Sequence, residues 1–158
     1  LKSFEKPNRL PEDEPIELGD ARMLIFGMGR VGTGIYKTMV KRMPGLVLGV
    51  DYDNVVIEEH KKKGRHVITG NGTNPEFWER VNMSPRVEYV LLVMPEHSAQ
   101  VDTIKQMKKN GYKGRIAASA KYPDELDKLK ALGVDAALNI YAEAGAGFAA
   151  LTSSKFGL

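Results

Sequence analysis

Short apolar runs alternate with amphipathic stretches along most of the chain. Arg22–Gly27 (RMLIFG) reads as a buried strand that ends at a glycine, and Val31–Met43 as a helix stopped by Pro44-Gly45. Leu46–Asp51 predicts a second strand. Asn54–Lys63 predicts a helix whose lysines fall at its C-terminal end, where cations suit the helix dipole. His66–Thr69 is a third strand. Pro75–Val81 is a short helix, with Asn74 as N-cap and Pro75 in the first turn. Val87–Val93 (VEYVLLV) is the most apolar run, as expected of a central strand covered on both faces. Glu96–Lys109 predicts a helix ended by Asn110-Gly111, and Arg115–Ser119 a fifth strand. Pro123–Leu132 is a helix ended by Gly133, Val134–Asn139 a sixth strand, and Tyr141–Leu151 a final Ala/Gly-rich helix.

Six strands alternating with six helices predict an α/β fold: a Rossmann-like, doubly wound parallel sheet of six strands in the order 3-2-1-4-5-6, in one domain. Residues 21–151 form that domain. Residues 1–20, with three prolines and the acids Glu12, Asp13 and Glu14, read as a linker, and residues 152–158 as a tail. The chain opens on Leu1 and is expected to be a fragment of a longer protein.

Composition narrows the chemistry. Apolar residues make up 42% and charged residues 27%, so a packed globular core is expected. No cysteine is present, which excludes a disulfide framework and any Cys-ligated metal. No run approaches the length needed to cross a bilayer. The net charge of +3 is mild, the basic clusters at Lys61–Arg65 and Lys105–Arg115 lack interleaved aromatics, and no nucleic-acid partner is expected. The acids of the leader have no regular ligand spacing, and no metal site is expected.

Gly27-Met28-Gly29-Arg30-Val31-Gly32 is a GxGxxG motif placed directly after the first strand and opening the first helix. Gly27 permits the tight turn, Gly29 lets backbone approach a pyrophosphate, and Gly32 lets the helix pack close to the sheet. Free amides of the first turn then face phosphate, and Arg30 is placed to fold over it. Asp51 lies about 20 residues beyond the motif, at the end of the second strand, where a carboxylate accepts from both ribose hydroxyls and repels a 2′-phosphate. Asp53 is a helix N-cap instead. The loop Gly70-Asn71-Gly72-Thr73 borders an adenine pocket, with Asn71 offering a donor and an acceptor to base edges. Met94-Pro95 flanks the ligand across the switch point. The candidate contacts are therefore Gly27, Met28, Gly29, Arg30, Val31, Gly32, Asp51, Tyr52, Gly70, Asn71, Gly72, Met94 and Pro95. This fingerprint calls for adenosine plus phosphate and contains nothing assignable to a nicotinamide ring.

FGMGRVG, VDYD, VITGNGTNPEFWERV, VEYVLLVMPEHSAQ and GRIAASAKYPDELDKLKALGVDAALN, in this register, resemble the RCK N-lobe, also called the TrkA-N or KTN domain, over roughly Ala21 to Leu151. The acid-rich leader is similar to the tether that follows the membrane part of Kef-type glutathione-regulated potassium-efflux systems. The resemblance implies a regulatory domain at the cytoplasmic face of the inner membrane, gating a membrane-embedded transporter portion of the same or a partner chain, with potassium only as the transported ion. It implies NAD(H) or AMP as ligand and a homodimer formed through the C-terminal helix. Ala142, Ala144, Gly145, Ala146 and Gly147 give that helix a small-residue surface for close approach. Two departures stand out. The family often has Gly-Asp-Ala-Thr where this chain has Gly70-Asn71-Gly72-Thr73. It often has an Arg where Ala118-Ser119-Ala120-Lys121 stands here.

The rival reading is an NAD-dependent oxidoreductase cofactor domain. A dehydrogenase needs a proton donor or acceptor, and the nucleotide fold consumes nearly all of this chain. Of His60, His66 and His97, only His97 is expected at the carboxyl edge of the sheet, where it reads as a helix-start residue. No catalytic residue, and no enzyme, is expected. A redox-sensing repressor would need a helix-turn-helix, which the proline-rich leader does not supply.

Overall fold

The computed structural model describes residues 16–84 and 86–158; the expected leader falls mostly on residues 1–15, outside them. Twelve elements follow one another in strict alternation: β1 (Met23–Phe26), α1 (Arg30–Arg42), β2 (Val47–Asp51), α2 (Asn54–Lys62), β3 (Val67–Thr69), α3 (Pro75–Asn82), β4 (Tyr89–Leu92), α4 (His97–Lys109), β5 (Arg115–Ala120), α5 (Pro123–Ala131), β6 (Ala136–Asn139) and α6 (Ile140–Phe156). The six strands form one sheet in the order β3-β2-β1-β4-β5-β6, and every pairing is parallel. The predicted class, strand order and element sequence are those observed.

Side-chain alternation along the central strands builds two cores, one on each face of the sheet. Leu24, Phe26, Leu48, Val50, Val90 and Leu92 pack with α3 and α4 through Phe77, Trp78, Val81, Ile104 and Met107. Met23, Ile25 and Val47 point the other way, against Tyr36 and Ile57 of α1 and α2. Trp78 is fully buried, stacked on Phe26 with ring centroids 5.5 Å apart and edge-on to Phe77. Tyr112 tilts against it, and burial, then the charges of Asp135 and Glu88, hold the phenol well above its usual range.

The caps explain where the helices begin. Asp53 accepts from Val55 N at 2.9 Å and Asn74 from Glu76 N at 3.0 Å, as the sequence predicts, while Asn139 accepts from the amides of Tyr141 and Ala142. The end of the chain departs from expectation. Residues 152–156 are not a tail, because α6 runs on to Phe156. Gly157 then adopts φ +70°, and Leu158 N closes back on Ser153 O at 2.9 Å, a glycine stop one turn later than the composition suggested. None of the residues of α6 is buried. Among the described residues, no helix is long and apolar enough to cross a membrane.

Candidate functional site

The site forms at the carboxyl edge of β1 and β4, where the strand order reverses. Gly27 has φ +98°, and a Cβ there would lie 2.6 Å from Met94 N, so only glycine lets the loop after β1 pass the end of β4. A Cβ on Gly32 would overlap the Gly27 carbonyl oxygen, which is how α1 sits tight against the loop. At Gly29, by contrast, a Cβ would meet open space. Gly29 is the N-cap of α1, contributes no side-chain cap, and is followed by no acid in the first turn. The leading amides of α1 therefore have no side-chain acceptor, and an anion suits them.

These residues open onto a cavity of about 380 Å³. Gly27, Gly29, Arg30, Val31, Gly32, Asp51, Tyr52, Gly70, Asn71, Gly72, Met94 and Pro95 all line it, so twelve of the thirteen predicted contacts converge. Met28 does not. Its side chain is 1% exposed and lies in the core, where the missing side chain of Gly49 leaves room for the thioether. The main chain of Met28 is what matters: its N–H donates to Asp51 Oδ2 at 2.8 Å. Alternation accounts for this placement: Gly27 and Gly29 line the cavity, and the side chain between them points into the core.

Asp51 Oδ1 accepts from Asp53 N at 2.9 Å. Each carboxylate oxygen thus holds one backbone amide and keeps lone-pair capacity for a hydroxyl. The two amides aim the group across the end of β2 into the cavity, tied directly to the glycine loop. Asn71 is more restricted than its sequence suggests. Its Oδ1 accepts from both Thr73 N (2.9 Å) and Thr73 Oγ1 (2.7 Å), so the amide NH₂ is the part left to offer a ligand, as a donor. The loop is held from behind by Trp78 Nε1, which donates to Gly72 O at 2.6 Å. A Cβ on Gly70 would come within 2.7 Å of the Phe77 ring, and one on Gly72 within 2.7 Å of Thr103.

Sequence reading missed Thr103. It lies in the middle of α4 yet lines the cavity, is fully buried, and its Oγ1 has no hydrogen-bond partner among the described residues. A lone hydroxyl within a helical repeat gives no sequence signal. Val50 and Phe26 supply apolar wall, and Asp53 and Val56 line the rim at the start of α2.

A second chamber of about 260 Å³ shares Val31, Val93, Met94 and Pro95 with the first and reaches toward β5 and α6. Gln100 and His97 line it. Gln100 is 2% exposed, and its Nε2 donates to Met94 O at 2.7 Å. That bond fixes the amide orientation and leaves Oε1 buried with no partner among the described residues; His97 Nδ1 is in the same condition. Lys121, which stands near the position of the family's Arg, also lines the chamber, with its backbone amide held by Glu125 Oε1 at 3.0 Å.

A doubly wound sheet with a glycine loop, an unshielded helix start and an acid at the end of the second strand defines a Rossmann-type domain. The family model of the TrkA-N domain matches residues 23–140, and the chain belongs to that family. No curated protein matches it in sequence. Among solved structures it is similar to the NAD(P)-binding domain of an exopolyphosphatase-related protein from Archaeoglobus fulgidus, at 15% identity over 85% of this chain and 98% of the other, with TM-score 0.75. It is similar to the TrkA-N domain of the inner membrane protein ybaL from Escherichia coli, at 19% identity over 82% and 95%, with TM-score 0.68. It is also similar to the GsuK channel bound to NAD, at 14% identity over 83% of this chain and 23% of the channel, with TM-score 0.65. At these identities the likeness speaks to the fold.

Proposed function

We propose that the chain is a non-catalytic regulatory domain that binds an adenine nucleotide and thereby biases a potassium-transport system. The observation that carries this reading is the bond between Asp51 and the amide of Met28, which ties the acid at the end of β2 to the glycine loop before α1, both lining one cavity; this supports a ribose role for the acid and a phosphate role for the helix start. Family membership supports the transport context, and with it a position at the cytoplasmic face of a membrane beside the transporter portion. A domain of this kind acts only by binding nucleotide more tightly in one gating state than in the other. Among the described residues His97 Nδ1 has no orienting carboxylate bonded to it, which favours a sensor over the oxidoreductase reading.

Between NAD(H) and AMP, the second chamber favours the dinucleotide. Buried Gln100 Oε1 lacks a donor and His97 Nδ1 lacks any partner, which suits a ligand whose far end carries both hydrogen-bonding types. Calorimetric titration with NAD, NADH, AMP and ADP tests this directly. Micromolar binding of NAD or NADH, tighter than AMP, is expected. Gln100→Leu should lose about fivefold in affinity for the dinucleotide and leave AMP unchanged. Equal affinities and an indifferent Gln100→Leu would assign the ligand to the mononucleotides. Hydride transfer to any small substrate would instead favour the enzyme.

Pairing of two copies through α6 completes the proposal. This helix of 17 residues is mostly apolar and has no buried residue, leaving Tyr141, Phe148, Leu151 and Phe156 exposed, and such a helix is stable where another surface covers it. In sedimentation velocity the domain is expected to run as a dimer. The double substitution Phe148→Glu with Leu151→Glu should give a monomer with unchanged nucleotide affinity; identical sedimentation of both would remove α6 from the interface.

A further inference from the structure

His60 lies in the last turn of α2, 7% exposed and outside the lining of the cavity, and the reading of the cleft makes no use of it. Its Nε2 lies 2.7 Å from the carbonyl oxygen of Met28, inside the glycine loop. Thr33 Oγ1 donates to the same oxygen at 3.2 Å. The other ring nitrogen, Nδ1, is 3.0 Å from Arg65 Nη1. A guanidinium only donates, so Nδ1 is the acceptor, and the ring proton is assigned to Nε2, which donates to Met28 O. Both main-chain groups of Met28 are thereby held: N–H by Asp51 and C=O by His60 and Thr33.

The peptide joining Met28 to Gly29 is planar and trans, so its oxygen and its N–H point in opposite directions. Fixing the oxygen toward α2 turns the Gly29 N–H away from His60. Gly29 lines the cavity at the start of α1, and open space faces it. We infer that His60 is a positioning residue for the nucleotide: by gripping the Met28 carbonyl it presets the Gly29 amide toward the phosphate, before ligand arrives. This inference rests on the reading of the cleft as an adenine-nucleotide site. A peptide free to rotate would have to be ordered at each binding event, and presetting it removes that cost. Thr33 shares the task as the longer of the two donors, and alone it holds the carbonyl only in part.

The discriminating readout is the difference between AMP and adenosine, which differ only in phosphate. His60→Leu is expected to weaken AMP about fivefold and adenosine by less than about twofold, the effect of one hydrogen bond. His60→Gln, which keeps a donor, should restore most of the AMP affinity. Thr33→Val together with His60→Leu should weaken AMP by more than the product of the single effects, because the carbonyl then has no donor left. In the unmodified chain, which needs no variant to fold, nitrogen-15 NMR should show the His60 ring signals shifting on addition of AMP and not of adenosine. Equal losses for AMP and adenosine, or ring signals indifferent to AMP, would reduce His60 to a core residue. A wild-type domain that binds no adenine nucleotide at all would overturn the reading of the cleft itself, which is a separate outcome.

Discussion

Gly32→Ala is expected to lower the melting temperature by roughly 10 °C, corresponding to a loss of about 3 kcal/mol for a domain of this size. The cause is local and unavoidable. A methyl group at Gly32 would occupy the space of the Gly27 carbonyl oxygen, with the Val93 side chain 3.4 Å away on another side. Backbone is what would have to move, and it is the backbone that joins β1 to α1. Displacing α1 also shifts its leading amides, so surviving folded protein should bind nucleotide weakly. Gly34, two residues on in the same helix, provides the control. It is exposed and a Cβ there meets nothing within 4 Å, so Gly34→Ala should be neutral or stabilising by up to about 1 kcal/mol. Circular-dichroism melting of both variants checks the pair. A Gly32→Ala protein that melts with the parent would mean that α1 does not abut the Gly27 carbonyl.

Asp51→Ala is expected to reduce nucleotide affinity by about 100-fold, or roughly 3 kcal/mol, since two hydrogen bonds to a charged acceptor are removed at once. The stability of the free domain should fall as well, by about 1–2 kcal/mol, because the amides of Met28 and Asp53 lose their acceptor. The test that separates the two effects uses ligands lacking the ribose 2′-hydroxyl. The wild type should discriminate against 2′-deoxy-AMP, and Asp51→Ala should bind it and AMP equally. Discrimination that persists in the variant would assign the ribose contact to another group.

The fold was legible in the sequence because its signals are local and repeated. Glycines follow the ends of several helices, Asp53 and Asn74 cap the starts of α2 and α3, and strands covered on both faces appear as unbroken apolar runs. The end of α6 was misjudged because Thr152, Ser153 and Ser154 resemble the polar composition of a tail, whereas the stop signal is Gly157. The site was legible where spacing carries the chemistry, in the glycine loop, Asp51 and the turn at Gly70. It was illegible where three-dimensional packing decides. Met28 turns its side chain into the core while its neighbours in the motif line the cavity. Asn71 spends its oxygen on Thr73, a contact between near neighbours whose choice over a ligand no pattern announces. Thr103, Gln100 and His60 lie on helices at ordinary amphipathic positions, and only the bonding of their polar atoms in three dimensions sets them apart, unpartnered at Thr103 Oγ1 and Gln100 Oε1 and bonded to the glycine loop at His60.

The chain contains a single tryptophan, and its indole N–H is bonded to the loop that borders the main cavity while its ring stacks on Phe26, part of the cavity wall. The domain thus carries a native fluorophore, shielded from solvent and wired to the cleft. A ligand entering the crevice is therefore expected to change Trp78 emission without any added label, which a fluorescence titration of the domain reads directly.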